Sequence, residues 1–91
     1  MHVVYSEYAK KHITETEHYT DVERGTMKRI ELVKKITNSM AMISQFPRSA
    51  KFDIDLGLHY KLIPKLPFIT VYAVETEYVR VVKILHTKRE R

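Results

Sequence analysis

Five side chains in this sequence could act on a phosphodiester: His86, His59, Lys61, Arg80 and Arg89. Cleaving an RNA backbone without a metal needs a base for the ribose hydroxyl, an acid for the leaving oxygen and cations for the phosphate. His86, Lys61 and Arg89 are the candidates for such a catalytic set. Lys61, Arg80, Lys88, Arg89 and Arg91 are the candidates for contact with a target or a nucleic acid. If the last strand is regular, Tyr78, Arg80, Val82, Ile84 and His86 share a face, because strand side chains alternate. Val79, Val81 and Leu85 then lie opposite and read as core, with Lys83 as the exception. Each face holds a cation, so the pattern leaves open which face the helices cover. Lys61 beside Tyr60 could hold a phosphate while a base stacks on the ring. An edge-strand lysine that discourages sheet-to-sheet association explains it as well. The more ordinary reading of His86 is a strand-end histidine that helps cap the sheet, and Arg89 also reads as a solvated cation.

Other chemistries are excluded by what the chain lacks. It has no cysteine, so no disulfide framework, thiolate zinc site or cysteine nucleophile. Its two glycines, Gly25 and Gly57, cannot build a phosphate-cradling loop. The five histidines show no metal-ligand spacing, and neither a metal nor a cofactor is expected. Ninety-one residues make one domain with one modest core. No apolar run approaches the length of a membrane span. Met1-His2-Val3-Val4-Tyr5 opens like a strand rather than a signal peptide, so a soluble cytoplasmic protein is the expectation.

The net charge is +5, from 16 basic and 11 acidic residues. Up to Phe46 there are seven basic and six acidic residues; beyond it there are nine and five. The excess therefore lies in the second half, and Lys88, Arg89 and Arg91 crowd its end. That asymmetry suits an anionic partner, either nucleic acid or an acidic protein, although a merely solvated surface explains it too.

Residues 2–5 read as a first strand. Ser6 is a good N-cap, and Ala9, His12, Ile13, Thr16 and Tyr19 recur at helical spacing behind it. Thr20 and Glu23 have capping-box spacing and could start a new helix. Gly25-Thr26 is the rival break, with Thr26 as the cap. Met27, Ile30, Val33, Ile36, Met40 and Ile43 form a long apolar stripe that reads as core. Lys28, Arg29, Lys34 and Lys35 take the outer face, and Pro47 ends the helix. The period then changes. Residues 48–58 read as a polar link, followed by strands at 60–63, 68–74 and 78–85 rich in β-branched and aromatic residues. Glu75-Thr76-Glu77 suits a hairpin loop. Pro64 and Pro67 place the first of these strands at an edge or at a bend. The expected fold is α+β, in the order β-α-α-β-β-β. A helical hairpin packs on one face of a small, mainly antiparallel sheet, with the opening strand inside that sheet.

Three stretches in this order resemble the RelE/ParE superfamily of toxins. One is Tyr5-Ser6, Ala9, His12-Ile13, Thr16 and Tyr19, like the family's strand-then-helix opening. Another is Ile36, Ile43 and Phe46-Pro47, like its second helix closing on a proline. The last is Phe68-Ile69, Val71-Tyr72 and Val74, then Val81, Ile84-Leu85-His86 and Arg89, like its final hairpin. The chain departs from the pattern at Thr16, at His59-Tyr60-Lys61, where an arginine is usual, and in having no tyrosine after Tyr78.

The resemblance implies the toxin of a type II, plasmid-stabilisation type, toxin–antitoxin system, neutralised by a cognate antitoxin encoded beside it. ParE-like members inhibit DNA gyrase, and RelE-like members cleave messenger RNA on the ribosome. The ending at His86 and Arg89, without a terminal tyrosine, favours the gyrase inhibitor. The alternatives are a ribosome-dependent, metal-independent endoribonuclease and a non-toxic small basic domain that binds nucleic acid or protein.

Overall fold

A computed structural model of the chain describes residues 1–88. Strand β1 (His2–Tyr5) leads into helices α1 (Glu7–Arg24) and α2 (Thr26–Gln45). Four strands follow: β2 (Lys51–Asp53), β3 (Leu58–Leu62), β4 (Phe68–Val74) and β5 (Tyr78–His86). They form one five-stranded sheet in the order β1-β5-β4-β3-β2, parallel only between β1 and β5. The helical hairpin lies on one face, α1 against β5 and β1, and α2 against β1. The opposite face is open.

Ser6 starts α1 as the sequence predicts. Its hydroxyl accepts the Ala9 N–H at 3.0 Å and donates to the Val82 carbonyl at 2.6 Å. The break between the helices falls at Gly25, whose φ of 95° belongs to the region glycine alone enters freely. The capping-box start at Thr20 fails because its hydroxyl donates to the Thr16 carbonyl, one turn back inside α1. Thr26 does not cap α2 either. Gly25 occupies the cap position, and the Thr26 hydroxyl donates to Asp21 Oδ1 at 2.9 Å.

The core joins Ala9 of α1 and Met40 and Ile43 of α2 to Tyr72, Val79, Val81 and Ile84 of the sheet. The α2 stripe is core only in its second half. Met27 is 72% exposed, while Leu32, off the stripe, is buried. Ile30 is 39% exposed as well, so the first turns of α2 leave the start of the stripe to solvent.

Two expectations about the strands are corrected. The polar link contains β2, an edge strand of three residues too short to show a period. As a result β3 is flanked on both sides and is not an edge strand. Its prolines lie outside it, in the turn that follows. Pairing with β2 ends at Tyr60, however, so Lys61 and Leu62 run past its neighbour.

The larger correction concerns β5. Val71 pairs with Lys83 and Tyr72 pairs with Val81, which leaves Val82 without a partner as a β-bulge. Alternation shifts by one at that point. Val79 and Val81 face the helices before the bulge, and Ile84 and His86 face them after it. Arg80 and His86 therefore lie on opposite faces, against the expectation of a regular strand. The Ser6 hydroxyl takes the carbonyl of the bulged residue, and the Ser6 N–H takes the Val81 carbonyl at 2.9 Å.

Candidate functional site

Among the described residues, the sequence candidates lie on two strands, β3 and β5, and in the turn after β5. His86 closes β5 with its ring edge-on to Phe68, centroids 5.2 Å apart. Its Nδ1 accepts the Lys88 N–H at 3.1 Å, so one imidazole nitrogen already holds the terminal turn. Arg80 projects from the open face, where its Nε donates to Glu75 at 3.2 Å. Lys61 pairs across from Thr70, which places it on the helix side of β3. Tyr60 pairs with Val71 on the open face, so Lys61 and Tyr60 cannot grip one nucleotide together. Lys88 is exposed in the turn after β5. Arg89 and Arg91 lie outside the described residues.

His59 has a structural role. It is buried, its ring stacks on Tyr72 at 5.1 Å with an 11° tilt, and its Nδ1 lies 3.3 Å from the Ala50 carbonyl. Tyr72 donates its hydroxyl to the Pro47 carbonyl at 2.7 Å. Together they fasten the segment leaving α2 onto the sheet. Burial pushes the Tyr72 phenol above its ordinary value of 10.0, and does the same to Tyr5.

What the fold does assemble is a groove of about 760 Å³ between the helical hairpin and the β3–β4 turn. His12, Leu32, Leu66 and Phe68 give it apolar and aromatic surface, and His86 stands at its sheet end. Arg24, Lys28, Lys35 and Lys65 line it with positive charge, against Glu15 and Glu31. Glu15 pairs with Lys11 and Glu31 with Lys28, while Arg24, Lys35 and Lys65 have no ion-pair partner among the described residues. The groove is therefore net basic. His12 and His86 flank the Phe68 ring, each edge-on to it.

Lys65 is held there by the turn. Pro64 and Pro67 bracket it, Leu66 N–H bonds the Ile63 carbonyl at 3.1 Å, and Lys65 itself takes φ 66°. That left-handed conformation costs a non-glycine residue about 1 kcal/mol or more. No sequence signal marked Lys65. Lys28 and Lys35 are seven residues apart on α2, which puts them on one helical face, but only the packing shows that this face borders a groove. Among the described residues no group of three or more His, Asp or Glu could hold a metal ion. None of their helices is long and apolar enough to cross a membrane.

The family described as "ParE toxin of type II toxin-antitoxin system, parDE" matches residues 3–91. The chain belongs to the ParE toxin family. Among solved structures, a protein of the chromosomal ParDE toxin–antitoxin system from P. aeruginosa superposes with a TM-score of 0.81 at 16% identity. That match covers 94% of this chain and 95% of the other. At that identity it establishes a shared fold. No curated protein matches the sequence. A ParE toxin is one half of a toxin–antitoxin system, so an antitoxin partner is implied for this chain.

Proposed function

We propose that this ParE-family chain arrests growth by binding and inhibiting DNA gyrase in the cytoplasm, and that its antitoxin neutralises it by seating an acidic, apolar-anchored segment in the basic groove. The observation that carries the inhibitor reading is the dispersal of the candidate catalytic groups. Of the described members of that set, His86 lies on β5 and Lys61 on β3 with β4 between them, and His86 Nδ1 is already engaged. General acid–base catalysis needs its groups within hydrogen-bond reach of one reacting centre. A stoichiometric inhibitor needs only a surface. The groove supports the antitoxin reading because its cations steer an acidic segment while its apolar residues bury the anchors.

The test uses the purified full chain. It should block supercoiling by DNA gyrase while leaving messenger RNA intact in a translating extract. Adding the product of the adjacent reading frame should restore supercoiling. Cleaved message with normal supercoiling would transfer the chain to the endoribonuclease class. Neither effect would leave a non-toxic binding domain.

A further inference from the structure

The β2–β3 connection carries the most exposed large hydrophobic side chain of the described residues, and the groove chemistry does not involve it. Ile54 is 83% exposed and Leu56 is 64% exposed. This tip is built rather than loose. Asp53 Oδ1 accepts the Asp55 N–H at 3.0 Å and the Leu56 N–H at 3.2 Å. The Gly57 N–H bonds the Asp53 carbonyl at 2.8 Å, and Gly57 takes the left-handed φ of 69° that such a closure needs. Ile54 and Leu56 are thus held outward before anything docks on them, which lowers the ordering cost of docking. Asp53 and Asp55 flank them, and neither forms an ion pair among the described residues.

We propose that this tip docks in the basic groove of a second copy of the same chain. An aliphatic knob edged by two carboxylates complements a groove with Leu32, Leu66 and Phe68 on its walls and Arg24, Lys35 and Lys65 unpaired at its margins. The tip and the groove stand at opposite ends of β3, one before Leu58 and the other beyond Leu62, about 17 Å apart at strand rise. A chain cannot fold its own tip into its own groove, so the match is intermolecular. The contact is head-to-tail: it leaves a free tip on one copy and a free groove on the other. Two side chains and a turn bury far less than the roughly 1,000 Å² of a stable interface, so the association is weak and reversible. An antitoxin segment in the groove excludes it.

Sedimentation of the full chain alone, from micromolar to submillimolar concentration, tests this. The parent's average mass should rise with concentration. A tip variant (Ile54→Ser with Leu56→Ser) and a groove variant (Lys65→Glu) should each self-associate at least about tenfold more weakly, with unchanged circular dichroism. Mixed one to one, the variants should give a dimer that grows no further, since only one tip and one groove remain compatible. A parent that stays monomeric, or a tip variant that associates like the parent, overturns the proposal. So does a monomeric parent whose tip variant loses growth arrest, because the tip then serves a target protein. Because no antitoxin is present, failure here leaves the antitoxin reading of the groove untouched.

Discussion

Lys65 shows what one residue contributes beyond its charge. Its backbone is left-handed, between two prolines, and its side chain borders the groove. Lys65→Gly removes both the strain and the cation. The melting temperature should stay the same or rise, because the relieved strain offsets the added freedom of the unfolded chain. Antitoxin affinity should fall roughly fivefold, the worth of about 1 kcal/mol for one exposed charge. Calorimetry on the free chain and on the complex separates the two effects, and a loss of both together would mean that the lysine serves the fold. Tyr72 and Tyr5 carry a second prediction. Burial raises both phenols above 10.0, so the folded state holds those protons more tightly than the unfolded chain. Their contribution to stability is complete below about pH 10 and drains away as the pH climbs beyond it. Tyr72 also loses its donor to Pro47 on ionisation. Denaturant midpoints should hold level up to that point and then drop, whereas a flat profile to pH 11 would contradict the burial argument. His86 belongs at this scale too. Its residue type marked it from the sequence as a possible acid–base group, and in the fold its Nδ1 accepts the Lys88 N–H in the turn after β5.

At the scale of the element, the bulge in β5 decides more than any other feature. A regular strand would have sent Ile84 and His86 to the open face and Leu85 to the core. One unpaired residue, Val82, reverses that, and Ser6 from the start of α1 satisfies its carbonyl. Ser6 thereby joins the first helix to the last strand, across 76 residues of sequence. Ser6→Ala removes the N-cap and leaves the Val82 carbonyl without its donor. The expected cost is about 1–2 kcal/mol. Urea unfolding measures it, and amide exchange should accelerate at both α1 and β5. Acceleration confined to α1 would reduce Ser6 to an ordinary cap. The N-cap was legible because Ser-x-x before a helical pattern is a local signal. The bulge was not, because Tyr78 to His86 has no glycine or other mark at Val82, and a bulge is set by what the strand must match on either side. Strand β2 escaped for a different reason: three residues cannot display an alternation.

For the whole molecule, the charge asymmetry gives the broadest prediction. Neutralising Lys88, Arg89 and Arg91 together should leave the circular dichroism spectrum intact and abolish growth arrest in cells. A folded variant as toxic as the parent would assign the inhibitory surface elsewhere, and the groove margins at Arg24 and Lys35 would be next to neutralise.

The sequence by itself determined the fold class, the order of the helices and of every strand but β2, a helix break at either Thr20 or Gly25, the stop before Pro47, and the likeness of the chain to the toxins with which it belongs. These are legible because they rest on local signals: periods of 3.6 and 2, caps, prolines and glycines, each readable within a few residues. The tertiary structure alone decided which face of β5 the helices cover, that Lys61 rather than Tyr60 takes the helix side of β3, and that Arg24 and Lys35 from two helices meet Lys65 from a turn around one groove. Those outcomes depend on a one-residue shift between paired strands and on how the helical hairpin sits against the β3–β4 turn. Both are fixed by contacts between residues distant in the chain, and a pattern along the chain carries no record of them.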